Sequence, residues 1–452
     1  MSWKPFLLLA VAVTGISAPA GIGTDAVDAA ARKAGRPSVG LLIVDHGEPP
    51  EYNELTYESF KKFFNHLIEM GLIPSWVRLI DEGTVVQNPD CYACEDAPVE
   101  GPFIDAWLDE HEGPAAPVPA SDSLPAHFAL PGGPGLGEPD IFEHVGLGAW
   151  HEWQLMGGRS PNYDQKLAKK KIVLSHLRNS DPGLPIAVGY GIDPRLNGGY
   201  QGFRPALSRL INDERVEHIV VAYHGVGFSD IMQTHMIRHE LQEIAAGMDP
   251  DVKLSYAEPL GHSRHYIQAV VGKVRSELRS VPAGAKVAIH LSGHGLSTTM
   301  CGEYDCGADS YHASSQDLFR RTKRAISDEI QRQGLGVFHL YGEGAAEEDD
   351  PEDKVDSPME ALAERKKAGY EYVIDIPYEF DSDSRDTLII LRHGYERRIP
   401  DWNSRYESHF RYEGMDVKIT NTQFGFERKV KAFEDVIRAA LRAKSGARGH
   451  EH

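Results

Sequence analysis

Positive charge is scarce in this sequence. Lysine and arginine number 47 against 67 aspartates and glutamates, for a formal net charge of −20. That balance argues against nucleic acid and anionic membrane as partners, because both would be repelled. It fits a protein that handles cations, or simply an acidic, solvated surface. Long apolar runs are also missing. The longest near the N-terminus covers about 6–13 and is too short to span a bilayer, and no later segment is longer. Cysteine is limited to Cys91, Cys94, Cys301 and Cys306, in two close pairs.

The chain does carry a leader-like start. Lys4 precedes the apolar run, and Ala18-Pro19-Ala20 has the small-residue spacing of a cleavage site. Residues 1–20 therefore read as a signal peptide, which predicts an exported, periplasmic or extracellular protein without a transmembrane segment. In such a compartment an even cysteine count favours disulfides. The C-x-x-C and C-x4-C spacings equally suit a four-thiolate metal site, and an iron–sulfur cluster is allowed but not favoured. Two local disulfides, two crosslinks between the loops and a thiolate site all stay open.

Strand-like and helix-like patterns alternate along the rest. The apolar run 38–44 (SVGLLIV) predicts a first strand, closing on the ionisable turn 45–50 (DHGEPP). A helix is expected over 54–70. Proline, glycine and acid then dominate 81–148, an irregular insertion on which no secondary structure is forced. Helices are predicted at 164–177, 202–210, 231–246 and 264–279, with strands at 185–189, 218–223 and 252–258. The second half repeats the scheme: strands at 287–291, 336–341, 372–376 and weakly 417–419, helices at 314–333, 359–368 and 427–441. This pitch predicts an α/β fold of two Rossmann-like halves. Each half is a parallel sheet flanked by helices, with a cleft between them. The expected halves are 37–262 and 263–442, followed by a polar tail at 443–452.

Several predicted strands end in histidine: His46, His224, His262 with His265, and His294. Ligands of open α/β sheets sit in the crevice at the strands' carboxyl ends, and imidazole is both a metal ligand and a proton shuttle. The stretch 286–311 is the sharpest case. Its strand VAIHL breaks at Ser292-Gly293-His294-Gly295, which leaves an imidazole on a tight turn.

With these residues in view, the chain resembles the ferrochelatase family of class II tetrapyrrole chelatases, from about residue 39 to 441 apart from the insertion. The opening strand and turn (GLLIVDHGEPP) look like the family's first strand with its Gly-x-Pro turn. Met156-Gly157-Gly158-Arg159-Ser160-Pro161 is similar to its Gly-Gly-x-Ser-Pro segment. Ser292-Gly293-His294-Gly295-Leu296 is similar to the motif carrying its catalytic histidine, and Gly307-Ala308-Asp309-Ser310-Tyr311 stands where the family has Gly-Asp-Pro-Tyr. The most specific match, Pro377 to Leu388, is also where this chain departs from the family. Ser384 replaces the family's histidine, and Asp386 replaces its catalytic glutamate.

The resemblance implies a lyase of haem biosynthesis type that inserts a divalent metal, ferrous iron foremost, into a porphyrin-type tetrapyrrole. It implies His294 as base or metal ligand and Asp386 as its carboxylate partner. His46 is a first-half metal candidate, with His224 and Asp309 in supporting roles. Asp309 reads equally well as a helix cap. The metal and the tetrapyrrole would be substrates. Two alternatives remain: an exported carrier of haem, tetrapyrrole or metal, and a cobalt chelatase acting on sirohydrochlorin, to which Glu258-Pro259-Leu260-Gly261-His262 would belong. Met300, Tyr304, Tyr311 and Phe228 lie near the same turns, but such side chains are more often core than ligand contact. The acidic run 347–356 is read as a solvated loop before a cation funnel.

Overall fold

The computed structural model describes residues 39–45, 48, 50–51, 153, 156, 158–190, 202–227, 237–294, 310–330, 334–341, 358–393, 395 and 407–446. They belong to one compact unit, Pro37–His452. The expected leader, the helix at 54–70, the insertion, the four cysteines, His46, Asp309, the acidic run and the tail beyond 446 lie outside the described residues.

The first sheet is built on β1 (Val39–Asp45), whose side chains are all buried after the first. A strand buried on both faces must be apolar on both, and alternate residues then enter different cores. Leu41 and Ile43 enter one, Leu42 and Val44 the other. Its partners are β2 (Ile186–Tyr190), β3 (His218–Tyr223) and β4 (Lys253–Tyr256), all parallel in the order β2-β1-β3-β4. Between them run α1 (Asn162–Ser180), α2 (Phe203–Ser208), which continues as a π-helical turn, and α3 (His239–Met248).

A 3-10 turn at Leu260–His262 leads into α4 (Arg264–Leu278), capped by Ser263, whose hydroxyl accepts the His265 amide at 3.2 Å. The second sheet contains β5 (Val287–Gly293), β6 (Leu335–Tyr341), β7 (Tyr372–Ile376), β8 (Ser408–Tyr412) and β9 (Met415–Ile419) in the order β6-β5-β7-β9-β8. The first four are parallel, and β8 runs antiparallel to β9 at the edge. Helices α5 (Ser310–Ile330), α6 (Pro358–Lys367), α7 (Leu391–His393) and α8 (Phe426–Gly446) complete it.

One apolar core joins the two sheets. Leu41, Ile43 and Val220 of the first meet Ile289, Leu291 and Ile374 of the second through Tyr266 and Val270 of α4 and Phe433 and Ile437 of α8. Helix α8 packs on both α1 and α4. Its approach to α4 requires glycine at 425, where φ is +59° and a Cβ would lie 2.5 Å from that of Ala269.

The parallel α/β class is therefore as the sequence pattern indicates. Three details differ. The helix expected at 314–333 starts at Ser310, the last helix runs on to Gly446, and the weak strand at 417–419 is half of an unforeseen hairpin. Its turn is Glu413-Gly414, both with positive φ, which matches the twist of the strands it joins.

Candidate functional site

Strands β5 and β7 are paired neighbours, so their carboxyl ends open on the same crevice. His294 is the first residue after β5. Its ring is about half exposed, 5.9 Å from that of Phe380, and its backbone amide donates to Oε2 of Glu379 at 3.1 Å. Asp386 opens a π-helical turn, Asp386–Ile390, of a kind that is frequent at functional sites. Ser384 shapes this turn. Its amide donates to Thr387 Oγ1 at 2.9 Å, and its hydroxyl reaches Asp386 Oδ2 at 3.4 Å.

His294 Nε2 and Asp386 Oδ2 then stand 3.8 Å apart, with side-chain exposures of 54% and 34%. That separation is too long for a hydrogen bond. It suits a small divalent cation, whose bonds to nitrogen and oxygen are each about 2 Å. Among the described residues no three histidine, cysteine or acidic side chains converge as a metal cage. This pair supplies two groups, and His46 lies outside the described residues.

A first-half carboxyl reaches the same turn. Glu48 Oε2 accepts the Arg385 amide at 2.8 Å, one residue before Asp386. Burial, then the neighbouring charge of Asp386, pushes the Glu48 carboxyl up to about 8, against the pull of Ser160 and Arg385. The Gly-Gly-x-Ser-Pro-like segment buttresses this place: Ser160 is buried and donates its amide to the Pro50 carbonyl at 2.8 Å. In sequence the ionisable turn at 45–50 points to His46, while the carboxyl that reaches the Asp386 turn is that of its neighbour Glu48.

Beneath His294 lies a polar cluster that the sequence did not reveal. Glu379 Oε1 accepts from the hydroxyls of Ser315 and, at 3.1 Å, Tyr378. His339 Nε2 contacts the same hydroxyls at 3.3 and 2.9 Å, and its ring stacks on Phe319 at 4.5 Å. These residues come from α5, β6 and the loop after β7, so no local pattern joins them.

His224 has a different surrounding from the supporting role expected of it. It is 1% exposed, stacks on Phe433 at 4.3 Å, and places Nε2 2.9 Å from Asp381 Oδ2 and Nδ1 3.8 Å from Asp45 Oδ2. Three lysines of α1 enter the same cluster: Lys166 and Lys170 pair with Asp45 at 2.9 and 3.0 Å, and Lys169 with Asp381 at 2.5 Å. From α8, Lys429 donates to the carbonyls of Phe380, Asp381 and Thr422 at 3.1, 3.2 and 2.9 Å.

Burial lowers the His224 imidazole to about 4 and the Lys429 amine to about 7. Burial alone would raise Asp381, yet the cations Lys169 and Lys429 and the His224 ring hold it well below the usual carboxylate range. The cluster ties the end of β1 to the loop that carries Asp386. It is sealed from solvent, so His224 acts in architecture. The other strand-end histidines turn to local carboxylates, His262 to Glu258 at 3.0 Å and His265 to Asp435 of α8 at 3.3 Å.

No family model matches the chain. No curated protein matches it in sequence. Loose structural likenesses exist to SirB from Bacillus subtilis with Fe3+ (14% identity, TM-score 0.42, 63% of this chain and 91% of that one). Others are to the sirohydrochlorin chelatase SirB from Bacillus subtilis subspecies spizizenii in complex with cobalt (10%, 0.38, 62% and 91%) and to DR2241 from Deinococcus radiodurans (12%, 0.33, 60% and 50%), a multi-domain protein with structural similarity to chelatases. At these scores the likeness is one of general layout.

Proposed function

We propose that this protein is a tetrapyrrole chelatase that inserts a divalent metal, ferrous iron foremost, into a porphyrin-type ring. The observation that carries this reading is the reachable His294–Asp386 pair, 3.8 Å apart, with His294 directly after β5 and Asp386 in the π-helical turn beyond the neighbouring β7. Insertion exchanges the two N–H protons of the ring for one M2+, so two protons must leave as the cation loses its water. The His294 imidazole accepts a pyrrole proton, and the Asp386 carboxylate guides the cation and takes the second. Both side chains reach solvent, which gives those protons an exit.

The motif order around Ser292–His294 and Pro377–Leu388 supports ferrochelatase-type chemistry. Cobalt insertion into sirohydrochlorin is the neighbouring specificity. A carrier function is favoured by one observation: Ser384, where the family has histidine, is buried and serves the turn. An N-terminal export signal, periplasmic location and the two-half division at about residue 262 belong to the same proposal.

The test is anaerobic absorbance spectroscopy of the purified protein given metal-free porphyrin or sirohydrochlorin with ferrous, cobaltous or zinc ion. Multiple-turnover metallation supports the chelatase reading. Tight binding without turnover supports the carrier.

A further inference from the structure

We propose that Glu379 is the positioning residue of His294, an inference that rests on the chelatase reading of that histidine. The strand that delivers His294 ends at Gly293, so the imidazole's place depends on how its backbone is held beyond the ladder. Glu379 supplies the hold. One carboxylate oxygen accepts the His294 amide at 3.1 Å. The other is fixed by Ser315 of α5 and by Tyr378 at 3.1 Å, and Tyr378 is braced in turn by His339 of β6 at 2.9 Å.

The carboxylate thus couples the His294 turn to the loop that continues to Asp386. The two reacting groups are carried by segments tied to one another through Glu379. With only 8% of its surface exposed, Glu379 acts through His294 and not on the substrate. A reacting group displaced by about 1 Å can lose about 100-fold in rate, so an anchor of this kind controls turnover more than binding.

The anchor needs acceptor oxygens, not charge. In E379Q the amide oxygen still accepts from His294, while the amide nitrogen donates to the Ser315 and Tyr378 hydroxyls, which can turn to accept. E379A removes every contact.

The experiment compares E379A and E379Q with the parent in steady-state metallation of porphyrin and in peptide-level hydrogen exchange covering His294. E379A is expected to lower kcat about 10- to 100-fold with the KM for porphyrin within about two-fold, and to speed exchange at the His294 amide. E379Q is expected to restore most of both. Equal kcat in E379A and the parent overturns the proposal. So does an E379Q defect as large as that of E379A, or unchanged exchange at His294 in E379A. If the parent itself turns nothing over, the chelatase reading falls, and the exchange arm still decides whether Glu379 holds the turn.

Discussion

His224 and Asp381 approach to 2.9 Å with both side chains sealed from solvent, whereas His294 and Asp386 stand 3.8 Å apart with both reachable. The residue types are the same, and in each pair the histidine directly follows a strand while the aspartate comes from the segment after β7. The difference lies in what surrounds each pair. Around His224 the fold supplies a stacked Phe433 and the ammonium groups of Lys169, Lys170 and Lys429. Every charge there has its counter-charge or carbonyls, and nothing can enter. Around His294 the fold supplies an anchored backbone and an open face. Buried ionic groups are costly to leave unpaired, so the first arrangement holds the two sheets together. An exposed pair contributes little to stability. What distinguishes the second is access.

H294A and D386N are expected to lower metallation kcat by about 10²- to 10⁴-fold, the range for loss of a positioned acid or base. Their urea midpoints should match the parent; a collapse of stability in either would mean that this pair is structural too. D381A should do the reverse. It removes the buried counter-charge of Lys169 and Lys429 and is expected to cost about 3–5 kcal/mol in denaturant unfolding, the range for breaking a buried pair. Metallation per folded molecule should persist.

pH sharpens the contrast further. Lys429 is pushed down to about 7 in the folded state, so from pH 7 to its unfolded value near 10.5 the unfolded chain binds the extra proton. Stability from this group therefore rises with pH across that window. Glu48 is raised to about 8, so from its unfolded value near 4.5 up to 8 the folded chain holds the extra proton. Its contribution falls as pH rises through that window. K429M should flatten the first slope and E48Q the second, read from urea midpoints measured between pH 5 and 10. The smallest effect is expected from S263A, a cap on α4 that touches neither pair. About 1 kcal/mol should be lost with metallation unchanged.

Much of the fold was legible in the sequence because parallel strands buried on both faces must be apolar runs. VGLLIVD and VAIHLSG show this directly. The β8–β9 hairpin was not, since SHFRY mixes exposed and half-buried positions and only VKI of its partner looked strand-like. His294 and Asp386 stand out in the sequence because each sits in a recognisable motif, and their part in the chemistry is the proposal made above. The three buried lysines of α1 were not. In sequence, a run like KLAKKK reads as a solvated face, and their partners Asp45 and Asp381 lie more than a hundred residues away. Glu379 was hidden for the same reason, since its role comes from Ser315, His339 and the His294 backbone, on three other segments.

On the chelatase reading, the open pair carries the chemistry and the sealed pair carries the architecture. This division of roles is tested most directly by following metal insertion anaerobically in the parent, H294A and H224F, with rates normalised to folded protein. Turnover in the parent, its loss in H294A and a near-parent rate in H224F are the expected results. Undiminished turnover in H294A, or no metallation by the parent with any of the three metals, would contradict it.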